Sequence, residues 1–266
     1  LIRFELGSKV DFQSTSGERG EIVMNRIFVA LLLLLLYVSL TATPASMPTV
    51  ASVEETKVLQ ASKDNTLIES PKGELSASIS PTFFVGRTGQ AAGSIRRGLI
   101  AFDVAGALPP GARITSVKLT LNMKLSAGGG RPSQVSLHRV AADWGEGKSN
   151  AAGGRGAPAA EGDATWIHNF YPKSLWAKPG GDYVAKESAA QAVAGIGAYT
   201  WGTTAQMVAD VQEWLDSPKK NFGWLLLGDE TQGATAKVFQ SLQSEDAQAR
   251  PQLTVTFTPP AGQRRK

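Results

Sequence analysis

The sequence predicts an all-β fold, a β-sandwich carrying one amphipathic helix and one long loop excursion. Three observations predict it. The stretch "VKLTLNMKL" alternates strictly, with Val117, Leu119, Leu121, Met123 and Leu125 on one side and Lys118, Thr120, Asn122 and Lys124 on the other. That period of two belongs to a half-buried strand. Other short apolar runs recur along the chain between clusters of turn residues, and 28 glycines supply turns. Only one segment carries a clear helical stripe.

In chain order, "KVLQA" reads as the first strand. "GLIAFDV" follows, with Ile100, Phe102 and Val104 on one face, and "LPPGARIT" is a Pro-Gly turn leading into the alternating strand. "VSLHRV" is the next strand. Residues 141–198 are rich in Gly and Ala without sustained periodicity, yet contain Trp144, Trp166, Phe170, Tyr171, Trp176 and Tyr183. Disordered segments are poor in large aromatics, so this stretch reads as ordered loops and short strands covering one end or face of the fold. In "TTAQMVADVQEWLDSP", Met207, Val208, Val211, Trp214 and Leu215 form one stripe, and Gln206, Asp210, Gln212, Glu213 and Asp216 lie opposite. Thr203 and Gln206 have capping-box spacing, and Pro218 closes the helix. "WLLLG", "KVFQSL" and "LTVTF" complete the strands, and Pro259-Pro260 stops the last.

Composition narrows the function classes. The chain has 266 residues, 42% of them hydrophobic, and no cysteine. Disulfides, thiolate catalysis and cysteine-bound metals are therefore excluded. The formal charge of +4 owes much to Arg264, Arg265 and Lys266 in the basic tail, residues 259–266, and no concentrated basic face for nucleic acid is evident. Met24-Asn25-Arg26, the apolar run Ile27 to Leu40, and the small residues near Ala45 and Ala51 follow the order of a secretory signal peptide. The apolar run is shorter than the ~20 residues of a spanning helix, so no stable membrane span is expected after processing. Residues 24–45 are expected to be the signal, and residues 1–23 to precede the true start at Met24. The expected location is extracellular or in a bacterial cell envelope.

Chemistry-bearing residues are sparse. "HRVAADWGEG" is the densest collection, and it reads as a strand running into a glycine-bounded turn, with Trp144 anchoring the loop and Asp143 and Glu146 as turn or capping groups. His138 and His168 are the only histidines, too few for a zinc site without cysteine. No G-x-S-x-G elbow occurs, and "GGRGAPAAEG" lacks phosphate-loop spacing. His168 and Tyr171 could form a proton-abstracting pair of the kind polysaccharide lyases use. Asp143, Glu146, Asp163, Asp182, Asp229 and Glu230 fall in loops without a recognisable calcium pattern. No cofactor is expected, with calcium left open.

The run Asp64-Asn65-Thr66-Leu67-Ile68-Glu69 resembles the motif that names the DNRLRE-domain family, departing at Thr66 and Ile68, where the motif has arginine. "RRGLIAFDV", "LPPGARITSVKLTL", "VSLHRVAADWGEG", "GDATW", "MVADVQEWLDSP" and "NFGWLLLGDE" also resemble that family in order and spacing, across residues 54–258. Near the C-terminus, Ser244-Glu245-Asp246 precedes Arg250-Pro251, and the arginine of the family's Ser-Arg-Glu triplet is missing. The resemblance implies an extracellular jelly-roll-like β-sandwich, some of whose relatives are carbohydrate-binding modules of family 96 that take alginate-type acidic polysaccharide. On that basis the expected function is non-catalytic binding of polysaccharide or cell-surface glycan. Aromatics would stack on sugars, and arginines would pair with uronate carboxylates. Candidate contacts are Trp144, Trp166, Trp176 and Tyr183, with Arg96, Arg97 and Arg139 as charge partners, at least half of the tryptophans being expected in the core. A scaffold without ligand is one alternative. A lyase or hydrolase acting through His168 and Tyr171, or through a carboxylate pair, is the other.

Overall fold

The computed structural model describes residues 53–261. Residues 24–45, expected to be a signal peptide, residues 1–23, expected to precede the true start, and the Arg264–Lys266 end of the tail lie outside the described residues. Among the described residues the fold is all-β: a curled antiparallel sheet of eleven strands with two helices and short accessory strand pairs. Among the described residues no helix is long and apolar enough to cross a membrane.

The sheet bends into two facing halves. The first is built on the alternating strand β6 (Arg113–Ser126), flanked by β15 (Gln252–Thr258), β14 (Lys237–Gln240) and β12 (Gly197–Gly202), with β1 (Glu55–Gln60) on β15. The second runs β2 (Lys63–Ile68), β5 (Ile95–Ala101), β13 (Trp224–Leu227), β7 (Ser133–Val140) and β11 (Tyr183–Val193). Strand β4 (Thr82–Arg87) belongs to both. Through Val85 it pairs with β14, and from Gly86 onward with β5. Gly86 has φ 104, a conformation that side chains disfavour, so glycine suits the residue where the strand changes partners.

The core lies between the halves. Val117, Leu119, Leu121 and Met123 point into it from β6, as their alternation predicts, but Leu125 is 53% exposed. The Phe83 and Phe239 rings stack 5.7 Å apart, and Trp201 meets Phe239 edge-on at 5.9 Å. Strand β5 is buried on both faces: Ile100 faces this core, whereas Leu99 and Ala101 face a second apolar cluster outside. The chain then enters the short helix α1 (Val104–Ala107), whose N-terminal Gly106 N–H is accepted by Asp103 at 3.0 Å.

Helix α2 (Ala205–Asp216) buries Met207, Val211, Trp214 and Leu215, with the Trp214 and Trp224 rings 4.5 Å apart. Two expectations are corrected here. The N-cap is Thr204, whose hydroxyl accepts the Met207 N–H at 3.0 Å, while Thr203 donates to the Val117 carbonyl. Asp210, placed on the polar face by its spacing, is 1% exposed. It accepts from Trp224 Nε1 at 3.0 Å and Gln206 Nε2 at 2.9 Å and is bonded to Ser188, so partners across the core offset the cost of burying it.

The excursion is a third layer over the second half of the sheet. Trp144, Ala164 and Trp176 pack on Leu67, Leu99, Val140 and Leu225. Within it β9 (His168–Phe170) pairs with β10 (Ser174–Leu175), and its β8 (Ala157–Pro158) pairs with β3 (Leu75–Ser76) from earlier in the chain. The excursion also includes β11 and the start of β12. An eleven-residue strand is more regular than the loops and short strands expected of this stretch.

Candidate functional site

Two of the excursion's three tryptophans are fixed by polar contacts. Buried Asp163 accepts the N–H groups of Lys148 at 2.8 Å and Ala160 at 2.6 Å, and the Ser78 hydroxyl at 2.9 Å. Gly147, at φ 71, leaves room for that carboxylate: a Cβ there would stand 1.7 Å from Asp163 Oδ1. The turn so formed carries Thr165, whose carbonyl accepts Trp176 Nε1–H at 2.9 Å. Trp144 Nε1–H donates to the Phe222 carbonyl at 2.8 Å. Trp166 instead projects to the edge of the layer and is only partly buried.

Trp166 meets Arg97 there. The Arg97 guanidinium lies 4.9 Å from the Trp166 ring centre and 5.7 Å from that of Tyr183. Its Nε and Nη2 donate to the two oxygens of Glu230 at 2.8 and 3.0 Å, and Nη1 donates to the Gly180 carbonyl at 2.8 Å. Burial acts to lower the Arg97 pKa, but the hydrogen bonds and charge of Glu230 outweigh it and the net direction is upward. A bidentate carboxylate pair of this geometry is specific and strong. Beside this clasp lies an open cavity of about 310 Å³ lined by Glu69, Ser70, Pro71, Trp166, Ile167 and Pro179. A second, more polar cavity of about 420 Å³ is lined by Ser133, Ser136, Gly228, Asp229 and Thr231.

The seven expected contacts therefore separate. Trp166 and Tyr183 come together around Arg97. Trp144 and Trp176 are 1% and 5% exposed and serve the outer core, so they are corrected from surface contacts to loop anchors. Arg96 is also corrected: alternation turns it inward, it is 1% exposed, and it donates to the carbonyls of Gly154, Gly93 and Ile95 and to Gln90 Oε1 at 2.6–2.7 Å. Burial pushes its pKa down to about 10. Arg139 is ion-paired with Glu213, which Lys220 also contacts, at a separate surface hollow of about 190 Å³. Sequence reading missed Glu69 at this site and did not connect Glu230 with Arg97.

The histidines are held by neighbours. His138 is bonded through Nε2 to Ser136 and through Nδ1 to the Val184 carbonyl, each at 3.0 Å. His168 lies edge-on to Tyr171 with ring centres 5.0 Å apart, and its Nδ1 is bonded to Thr165 Oγ1 at 3.0 Å. Among the described residues no group of three or more His, Asp or Glu side chains has metal-binding geometry. Glu146 accepts the Asp64 N–H of strand β2 at 3.0 Å. Comparison with known proteins finds no matching family model and no matching curated protein.

Proposed function

We propose that this chain is an exported, non-catalytic carbohydrate-binding module of the DNRLRE type, and that its contact surface is the Trp166–Arg97–Tyr183 clasp with the neighbouring cavity. The observation that carries the reading is Trp166, a partly exposed indole lining an open cavity next to a second aromatic, Tyr183. Sugar rings present apolar C–H faces that stack on such rings, with polar groups at the rim fixing orientation. Ser70 and Glu69 supply that rim.

The charges at the clasp favour a neutral glycan over a uronate. Arg97 is already held by Glu230 through two hydrogen bonds, and Glu69 adds a carboxylate to the cavity wall. Arg96 is buried and Arg139 is paired elsewhere, so none of the three arginines is free to receive an acidic sugar. A glycan-array screen of the exported protein tests the proposal. Binding to a neutral glycan that persists as salt rises supports it, because contacts of this kind do not depend on screened surface charge. Binding to no glycan leaves a ligand-free scaffold as the account, and product release lost in His168→Ala would establish the lyase reading.

A further inference from the structure

Asp64 stands apart from the clasp, on the edge strand β2, and faces the connection between β14 and β15. It is 1% exposed. Its Oδ2 accepts the Leu242 N–H at 2.6 Å, while its Oδ1 is buried without any hydrogen-bond partner. Gln243, next along that connection, donates through Nε2 to Glu146 Oε1 at 3.1 Å, and the same Glu146 oxygen accepts the Asp64 N–H. Gln243 Oε1 is likewise buried and unpartnered. Its amide cannot be turned to cure this, because Nε2 must face the acceptor-only carboxylate of Glu146.

Three oxygen-bearing side chains from three separate segments thus meet with two buried oxygens lacking a donor. No Lys, Arg or His nitrogen among the described residues lies within 4.0 Å of the Asp64 or Glu146 carboxylate. Lys63, the nearest cation in sequence, is directed to Asp143 and the Trp144 carbonyl. Such a group of oxygens is costly to bury unless something positive joins them.

We propose that Asp64, Glu146 and Gln243 form a site for a hard divalent cation of the calcium class. The donor set is two carboxylates and an amide oxygen, with neither imidazole nor thiolate, which suits calcium and disfavours zinc. Backbone carbonyls and water would complete its shell. The cation would bind Asp64 in its ionised form. Burial, reinforced by Glu146 and opposed by the Leu242 N–H, otherwise holds that carboxyl protonated up to about pH 8. The site ties β2, at the edge of one half of the sheet, to the β14–β15 connection of the other, so occupancy stabilises the closed sandwich. The inference does not depend on the glycan reading.

The test uses the purified full chain stripped with chelator. Calcium is titrated by calorimetry, and terbium by luminescence sensitised through Trp144, two residues from Glu146. The expected result is one calcium per chain, a thermal midpoint that rises with calcium, and terbium emission that calcium displaces. Asp64→Asn and Gln243→Leu should each weaken calcium at least about tenfold, with folding checked by circular dichroism. Should Asp64→Asn fail to fold, Gln243→Leu and Glu146→Gln decide the matter. The proposal is overturned if the wild-type chain binds neither ion at millimolar concentration, or if folded variants bind as tightly as wild type.

Discussion

Replacing Trp144 with Ala should be far more damaging than the same change at Trp166, although the two residues are neighbours in one excursion. Trp144 is 1% exposed and packs against the outer face of the sheet. Removing a buried indole costs about 3–5 kcal/mol through lost burial and the cavity left behind. The Nε1–H bond to the Phe222 carbonyl adds about 1 kcal/mol. The sum, about 4–6 kcal/mol, is a large part of the 5–15 kcal/mol by which whole domains are stable. For a domain of this size each kcal/mol moves the thermal midpoint by roughly 2–4 °C, so Trp144→Ala should lower it by at least about 8 °C. Trp166 is partly exposed already, and its loss should cost less than about 2 kcal/mol. Differential scanning calorimetry of both variants reads the difference directly. A Trp144→Ala midpoint no lower than that of Trp166→Ala would refute the division into loop anchors and contact residues.

Leu121→Ala, at a fully buried position of β6, should cost about 2–5 kcal/mol, whereas Leu125→Ala, at 53% exposure, should cost less than about 1 kcal/mol; urea titration measures both. In the folded chain burial holds the Asp64 carboxyl protonated up to about pH 8, while unfolded it ionises near the ordinary aspartate value. The folded state therefore binds the extra proton across that interval. Its contribution is fully present below about pH 4 and is lost as pH rises towards 8, with a slope on the order of 1 kcal/mol per pH unit. With chelator present, Asp64→Asn should flatten this decline, and an unchanged difference between variant and wild type from pH 5 to 8 would contradict it. Glu230→Gln should release Arg97 from its charged partner and create weak, salt-sensitive binding of acidic polysaccharide. Affinity electrophoresis in alginate gels at two salt concentrations would detect that gain.

The strands most legible in the sequence are those with unlike faces. β6 alternates because its inward residues meet the core and its outward ones do not, and α2 showed its stripe for the same reason. β11 escaped notice because it is an edge strand of small and polar residues: only Ser188, Ala189 and Val193 are buried along its length. In β2 no apolar alternation marks the polar run Asp64-Asn65-Thr66, and all three residues are buried. Asn65 donates to the Ala164 carbonyl at 2.8 Å, and Thr66 accepts the Phe84 N–H at 3.1 Å. Both partners are distant in sequence, so the pattern of one segment could not reveal them. The same holds at the site. The aromatic-rich excursion announced a covering layer, but nothing in the residue types separates Trp144 and Trp176 from Trp166. Arg97 meets Glu230 from 133 positions away, a pairing that appears only when β5 and the end of β13 are brought side by side.

The central claim is that Trp166 provides the sugar-contact surface. Isothermal titration of the glycan ranked first in the array screen, against wild type and Trp166→Ala, tests it most directly, with calorimetric unfolding confirming that the variant is folded. A lost aromatic stack in such a site should weaken binding by about 1 kcal/mol or more, roughly fivefold at the least, with little change between low and high salt. Equal affinity of a folded Trp166→Ala variant would place the binding surface elsewhere and contradict the account.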